Sequence, residues 1–274
     1  MHANTTTSNF KVEVLGESQL RASVPSAFAS GPMSGLSGRY RFVPTAEIIA
    51  GLRDKDWVPV SAEQQRPRLL CRWGFQKHLI RFRRREQMQT LDEWNVELVL
   101  TNSHDAACAY VLQVGVYRRL CSNGLVISDE GFEAIRFRHA GLDAQQVVGA
   151  SFQIMEHAPK VAGLIDRLRR RTLSPLEARM FASQALLLRY ESEDGAPVRA
   201  ESLLTARRPE DDRSDLWTTL NRVQENLIRG GLSDGLHDRH GRLRTMRSLR
   251  GIDSKVTLNQ RLWRLAETTA SAHN

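Results

Sequence analysis

The spacing of hydrophobic residues changes near Gly141, and this change most constrains what the chain can fold into. Before Gly141, apolar and polar residues alternate over short segments, which is the pattern of strands with one buried face. After it, apolar residues recur every three or four positions, which is the period of a helix. Strands followed by helices predict an α+β fold, in which an N-terminal antiparallel sheet packs against C-terminal helices.

Strand-like alternation marks several segments between residues 39 and 138. They are residues 40–43, 57–60, 78–83, 94–100, 110–117 and 132–138. In the segment 78–83, Ile80 and Phe82 fall on one face of the strand, and Arg81 and Arg83 fall on the other. We expect the apolar faces to meet the helices and the polar faces to meet solvent.

Capping residues predict where the helices begin and end. The sequence Ser174-Pro-Leu-Glu177 is a capping box with proline at the first helical position, and it predicts a helix to about Tyr190. The other expected boundaries are N-caps at Thr45, Ser214 and Thr257, a kink at Pro159 and a helix end at Gly230-Gly231. Residues 231–247 are predicted to form a loop rich in glycine, histidine and arginine.

The same patterns divide the chain into three regions. Residues 1–38 hold turn and linker residues and are predicted to be a flexible N-terminal segment, from which Leu20, Val24, Pro25 and Phe28 dock on the body as a short clasp. Residues 39–141 form the antiparallel β region. Residues 142–274 form a helical region that packs on it, so that the two regions make one globular unit.

The net charge is +8 and the isoelectric point is about 9.9. Only five of the 39 basic residues are lysine, so the other 34 are arginine. Arginine is well suited to bidentate phosphate contacts, although the codon bias of a GC-rich genome would also enrich it. The charge therefore indicates a polyanionic partner without constraining the fold.

Cysteine usage and the absence of long apolar runs indicate the compartment. The three cysteines show no CxxC spacing and no secretory signal precedes them, which predicts reduced thiols in a cytoplasmic protein. No run of 18 apolar residues is present, so no membrane partner is expected. His237 and His240 have no clear third ligand, and no motif for a cofactor is found, so neither a metal nor a cofactor is predicted.

The paired arginines are the main candidates for binding nucleic acid. Arg81 with Arg83, and Arg136 with Arg138, each lie on the polar face of a predicted strand. If those strands are neighbours, four guanidinium groups share one face and follow a phosphate backbone. The other candidates are Arg84, Arg118, Arg119, Arg244 and Arg247. The alternative is an ordinary solvated sheet face, partly neutralised by acidic residues such as Glu97 and Glu133.

Two polar clusters have residue types that catalytic sites use. In the first, from Asn102 through Ser103 and His104 to Asp105, the histidine could act as a base that Asp105 orients. The alternative, which we favour, is an ordered turn in which Asn102 and Asp105 bond nearby backbone.

The second cluster runs from Cys121 to Gly124. Cys121 could be a reactive thiol, but Asn123-Gly124 is a strong turn dipeptide, and a structural role is favoured. Whether the two clusters meet in space is left open by the sequence.

Several short segments of the sequence resemble one protein family. They are Asn102–Asp105, Arg119–Leu125, Asp215–Thr219, Gln224–Leu232 and Arg250–Asp253, together with Leu258-Asn259 and Leu262-Trp263. They resemble the plasmid- and prophage-borne domain of unknown function 932, also known as uncharacterised protein family UPF 0380, over about residues 20–270. This resemblance implies a mobile-element context and supplies no catalytic residues. One departure is Ala106, where relatives often have glycine.

These observations predict a nucleic-acid-binding accessory protein of a plasmid or prophage. Single-stranded DNA is the favoured partner, by analogy with phage annealing proteins that place a basic sheet against helices. One alternative is a hydrolase or transferase that uses His104 and Asp105, and another is a protein that binds a host defence factor. The sequence leaves open whether the chain forms a homo-oligomer.

Overall fold

A computed structural model describes residues 12–67, 69–89, 93–118, 124–127, 134–139, 141–235 and 237–272, with backbone alone for 124–127. The strands are β1 (Trp57–Gln64), β2 (His78–Arg84), β3 (Trp94–Asn102), β4 (Tyr110–Arg118), β5 (Gly124–Ile127) and β6 (Ile135–Phe137). The helices are α1 (Glu17–Ser23), α2 (Thr45–Arg53), α3 (Ala144–Met155), α4 (Ala158–Arg170), α5 (Pro175–Leu187), α6 (Leu216–Arg229) and α7 (Ile252–Ser271).

The strands form one antiparallel sheet in the order β1-β2-β3-β4-β5, and β6 pairs with the start of β4. The helices α3 to α7 follow the sheet in the chain, so the α+β prediction is confirmed. The strand predicted over 132–138 is confirmed for its described part by β6. Residues 132 and 133 lie outside the described residues.

The segment Tyr40–Val43 is not a strand, contrary to the prediction. Its alternation has another physical cause, because alternate side chains pack on two histidines instead of facing a sheet. The Tyr40 ring stacks on His139 with 4.5 Å between ring centroids, and Phe42 lies 4.8 Å from the His104 ring. Side-chain packing thus gives the same period as a β ladder.

One face of the sheet carries the main hydrophobic core. The register places Ile80 opposite Leu100 and Leu100 opposite Leu112, and all three side chains are fully buried. Helices α2 and α3 contact each other over this face, and α3 also packs on β3 and β4. The core then continues between α4, α5, α6 and α7.

The opposite face of the sheet is also buried, which the sequence did not predict. Leu79, Val99 and Tyr117 form a small apolar cluster there with Ile252, from the first turn of α7, and with Val256. The N-terminal part of α7 therefore covers a face that was expected to meet solvent.

The helix boundaries follow the caps only in part. Ser174 and Glu177 form the predicted capping box of α5, and α4 begins with Pro159 in its first turn after a break from α3. Asp215, not Ser214, caps α6, because its carboxylate accepts from both Thr218 N and Thr218 Oγ1.

The other two predicted N-caps are wrong. Helix α7 begins at Ile252, five residues before Thr257, and its first turn packs Ile252 against the sheet. Thr45 is the first residue of α2 rather than its cap, and no side chain caps this helix. The Thr45 hydroxyl points instead into a buried polar cluster.

The N-terminal segment contributes to the core. Leu20 in α1, Val24 and Ala27 are fully buried, and Phe28 is half-buried against the same cluster. The part of residues 1–38 that the structure describes therefore holds a helix as well as turns. Leu20, Val24 and Phe28 dock as the predicted clasp, whereas Pro25 is exposed. The division of the chain into three regions stays a prediction.

Candidate functional site

A buried polar cluster lies where α2 crosses one end of the sheet. The Oγ1 atom of Thr45 is 3.1 Å from His78 Nε2, His104 Nε2, Tyr110 OH and Asn102 Nδ2. A hydroxyl offers one donor and two acceptor lone pairs, so these four contacts cannot all be hydrogen bonds at once. The strand register brings the residues together, because His78 pairs with Asn102 and Tyr110 begins the next strand.

The cluster ties the N-terminal clasp to the sheet. Ser26 Oγ lies 3.0 Å from His78 Nδ1 and donates to Gln64 Oε1 at 2.9 Å. The Tyr110 hydroxyl donates to the Val43 carbonyl at 2.5 Å. Most polar atoms of the cluster contact another part of the chain, while Asn102 Oδ1 and His104 Nδ1 have no hydrogen-bond partner among the described residues. These contacts help to fix the packing of distant segments.

Burial keeps the histidines of this cluster neutral. It lowers the pKa of His78 to about 4, and it lowers the pKa of His104 to about 3, with a further contribution from the neighbouring His78 and His139. Burial also lowers the pKa of His139. An imidazole that cannot take up a proton near neutral pH is a poor general base for chemistry at that pH.

The buried histidines predict a loss of stability in acid. The unfolded chain protonates His78 and His104 near pH 6.5, whereas the folded chain does so only near pH 4 and 3, so the unfolded state binds more protons between these values. Stability should therefore fall as the pH falls below 6.5, by roughly 2 kcal/mol between pH 6 and 5 for the two residues together. Urea unfolding at several pH values measures this. A His104→Gln variant should show a shallower slope, and an equal slope would contradict the assignment.

The residues from Ser103 to Asp105 form an ordered turn after β3. Asn102 is the last residue of β3, and its side chain donates to Thr45 Oγ1 instead of bonding nearby backbone, so this part of the prediction is wrong. Ser103 Oγ accepts from the Cys108 amide at 2.9 Å, and Asp105 Oδ1 accepts from the Ala107 amide at 3.0 Å. Ala106 lies between them with a φ of 59°, a left-handed conformation that glycine adopts at lower cost. The glycine that relatives often carry after the His-Asp pair is therefore explained by backbone geometry.

The geometry of this turn does not support catalysis by His104. The imidazole is fully buried, and its Nε2 faces the Thr45 hydroxyl. Asp105 points to Arg72 at 3.3 Å, and within the described residues His104 has no hydrogen bond to a carboxylate. The observed contacts are those of a structural turn.

Arg81 and Arg83 do not form a solvent-facing row, contrary to the expectation. Both lie on the second face of the sheet and pair with the fully buried Glu97, Arg81 Nε at 2.7 Å and Arg83 Nη2 at 2.6 Å. The Arg81 guanidinium also lies 3.2 Å above the centroid of the Tyr117 ring. The reason is that α7 and the neighbouring strands bury this face, so its charges must be paired within the fold.

Other predicted arginines also have structural partners. Arg118 is buried and pairs with Asp211 at 2.7 Å and with Glu93 at 3.1 Å. Arg84 donates to the Lys55 carbonyl at 2.6 Å. Arg244 donates to the Gly195 carbonyl at 2.9 Å and so holds the loop that follows α5.

The remaining predicted residues fall into two groups. Arg136, Arg138 and Arg247 are exposed. Arg119, Cys121 and Asn123 lie outside the described residues, and Gly124 begins β5. Whether the cluster 121–124 meets the cluster 102–105 therefore stays open.

An anchored loop displays arginines that have no acidic partner. The described residues of 231–250 lack helix and strand, yet Gly231 N donates to Met246 O at 2.7 Å and Met246 N donates to Leu232 O at 2.9 Å. Arg189 donates to the carbonyl of Arg247 at 2.6 Å. The exposed arginines of this loop are Arg239, Arg242, Arg247 and Arg250. Within the part of the chain that the structure describes, none of them pairs with a carboxylate.

The connection between β1 and β2 carries the two most exposed large apolar side chains of the described residues, Leu70 and Trp73. In this loop, residues 65–77, the exposed fractions are 57% for Leu69, 89% for Leu70 and 67% for Trp73. The sequence reading missed this feature. The signal was present, because four large apolar residues stand among arginines, one proline and one glycine in a segment without strand or helix periodicity.

The described residues show neither a metal cluster nor a membrane span. No three histidine, cysteine, aspartate or glutamate side chains among them gather as metal ligands. None of the helices in the same residues is long and apolar enough to cross a membrane.

Comparison with known proteins places the chain in a family. A family model described as "Domain of unknown function (DUF932)" matches residues 32–263, which is most of the chain. The chain belongs to the DUF932 family. It is 37% identical over 245 residues to the UPF0380 protein YfjQ of Escherichia coli (strain K12), covering 89% of this chain and 88% of that protein.

A second relative agrees with this assignment. The UPF0380 protein YafZ of the same strain is 37% identical over 244 residues, covering 89% of this chain and 87% of that protein. No solved structure matches the chain. The DUF932 resemblance seen in the sequence is thus confirmed.

Many of the residues that carry the DUF932 resemblance hold the helices together. Gln224 Nε2 donates to Asn259 Oδ1 at 2.9 Å and joins α6 to α7. Asn226 Nδ2 donates to the carbonyls of Leu203 and Thr205, each at 2.9 Å. These polar side chains stand on the almost entirely buried helix α6, where each needs a partner. These residues of the family motifs therefore serve the packing of the helices.

Proposed function

We propose that this protein binds nucleic acid, with single-stranded DNA as the favoured form, as an accessory protein that a plasmid or prophage would carry. The observation that supports this most is the contrast among its arginines. Arg83 and Arg118 inside the fold pair with carboxylates, whereas six exposed arginines in or next to β6 and in the loop 231–250 have no carboxylate partner within the described residues. These six, the basic face, are Arg136, Arg138, Arg239, Arg242, Arg247 and Arg250.

Contacts between the segments support one continuous surface. Arg250 stands three residues before Asp253, whose carboxylate binds Lys77 at 2.7 Å. Burial raises the pKa of the Cys108 thiol, and Lys77 and Arg136 are both close enough to oppose that rise. Arg136 pairs in register with Val111, on the sheet face that Ile252 at the start of α7 also covers, so β6 and the start of α7 share one side of the sheet. A phosphate chain that follows this surface would release counterions from several sites.

The proposed function predicts weaker binding when the basic face loses charge. Changing Arg136, Arg138, Arg247 and Arg250 to alanine should weaken binding of a labelled single-stranded oligonucleotide by about tenfold or more, measured by fluorescence anisotropy. The unfolding midpoint should stay near that of the parent, because these side chains are exposed.

The matched control removes the same charge elsewhere. Arg167 and Arg170 on α4, and Arg261 and Arg264 on α7, are also exposed, and changing all four to alanine lowers the net charge equally. We expect this variant to bind nearly as well as the parent. Equal weakening by both variants would mean that net charge alone attracts the oligonucleotide and that the basic face is not a site.

A homo-oligomer and an annealing activity stay predictions. The alternative of a hydrolase or transferase has no support from the contacts of His104 and Asp105 described above. Binding of a host defence factor is favoured by no specific observation.

A further inference from the structure

The β1–β2 loop is folded, although its apolar side chains are exposed. Residues 70–72 form a short 3₁₀ helix, and the Trp73 amide donates to the Leu70 carbonyl at 3.0 Å. The loop is fixed to the turn 103–105, because the His104 amide donates to the Phe75 carbonyl at 2.8 Å. Trp73 is therefore presented to solvent by a fixed backbone, which lowers the entropic cost of contact with a ligand.

A cavity of about 540 Å³ lies beside this loop. Its size falls within the range of small-molecule sites and would accept a nucleotide. Its wall combines apolar, cationic and anionic groups, which include Leu69, Arg72, Lys77, Asp105, Ala107 and Asp253. A mixed wall of this kind suits a ligand with a flat apolar body, polar edges and a negative charge.

The polar groups of the cavity retain bonding capacity. A carboxylate has about four acceptor positions, and those of Asp105 receive the Ala107 amide at 3.0 Å and Arg72 Nη1 at 3.3 Å. Accepting positions therefore remain for the amino or imino group of a base. Arg72 has further donors besides the one directed at Asp105, and these can reach a phosphate.

We infer that this cavity receives one unpaired nucleobase of a bound single strand, while Trp73 stacks on the neighbouring base. This inference rests on the proposed function and specifies what the site recognises. A duplex keeps its bases stacked and paired, so it cannot place one in the cavity without cost. The cavity and Trp73 would make the protein prefer single strands, whereas the basic face contacts phosphates in either form.

The test uses two variants that leave the basic face intact. Trp73→Ala removes the stacking ring, and Ala107→Phe fills the cavity from an exposed position on its wall. Each should weaken binding of a single-stranded oligonucleotide by about fivefold to a hundredfold, while binding of a duplex of the same length changes little. Trp73→Phe should restore most of the single-strand affinity, because it keeps a ring.

Intrinsic fluorescence gives a second readout. Trp57, Trp217 and Trp263 are fully buried and Trp94 is half-buried, so quenching by an added oligonucleotide should come mainly from Trp73. The Trp73→Phe variant should lose that quenching. Met180→Ala, which truncates an exposed apolar side chain on α5, is the matched control and should bind like the parent.

The outcomes separate this inference from the proposed function. If Trp73→Ala and Ala107→Phe bind single strands like the parent while the basic-face variant binds weakly, the base site is wrong and the phosphate surface stands. The apolar loop would then be a surface for a protein partner. If the parent itself shows no salt-sensitive binding to oligonucleotides, the proposed function fails and the base site fails with it.

Discussion

Glu97→Gln should destabilise the protein by about 3–5 kcal/mol, which is the usual cost of leaving buried charges unpaired. Glu97 is fully buried and accepts from Arg81 Nε at 2.7 Å, Arg83 Nε at 3.0 Å and Arg83 Nη2 at 2.6 Å. Glutamine keeps the shape of the side chain, but it removes the negative charge and turns an amide donor toward guanidinium donors. The two arginines would then be held inside the fold without their counter-charge.

The same exchange at an exposed pair is the control. Glu63 lies in β1, on the far side of β2 from Glu97. Its side chain is more than one-third exposed and pairs with Lys255 at 2.6 Å. Glu63→Gln should cost less than about 1 kcal/mol, because solvent screens that pair. Denaturant unfolding of both variants measures the difference. If both variants lose the same free energy of unfolding, the ion pairs of Glu97 contribute no more to stability than an exposed pair does.

Gly230→Ala is expected to cost about 3 kcal/mol or more, because it combines backbone strain with a steric clash. Gly230 ends α6 with φ 64° and ψ −149°, a conformation that is essentially limited to glycine. An added Cβ would lie 2.5 Å from Met246 O and 2.6 Å from Arg247 C, both of them backbone atoms. The backbone of the arginine loop would have to move, so oligonucleotide binding should weaken as well.

Gly231→Ala separates strain from the clash. Gly231 also has a positive φ, at 81°, but an added Cβ would meet nothing within 4 Å. Only the conformational cost remains, roughly 1 kcal/mol. If Gly230→Ala costs no more stability than Gly231→Ala, the close approach between the end of α6 and the loop is contradicted.

The sheet was predictable from sequence because its core face alternates strictly. Ile80 and Phe82 share one face of β2, as Leu98 and Leu100 share one face of β3, and this period of two identifies the strands. The capping box at Ser174 was predictable for a similar reason, since all its contacts lie within four residues. Local patterns are reliable where local contacts decide the structure.

The burial of Arg81 and Arg83 was not predictable in this way. Alternation shows that they share a face, but it cannot show that Ile252, about 170 residues later in the chain, helps to cover that face. Thr45 was misread for the same reason. Its position suggested a helix cap, while its hydroxyl serves a cluster built from three distant strand ends. Long-range packing decided both cases.

The salt dependence of binding tests the central proposal most directly. Binding of the unmodified protein to a single-stranded oligonucleotide should weaken as salt rises, and the plot of log affinity against log salt should have a slope near −0.7 for each phosphate contact. If all six arginines of the basic face engage phosphates, the slope is about −4, and it should fall to about −1.4 in the variant that lacks Arg136, Arg138, Arg247 and Arg250 but keeps Arg239 and Arg242. A flat plot for the parent, or an unchanged slope in the variant, would contradict the proposal that this face binds nucleic acid.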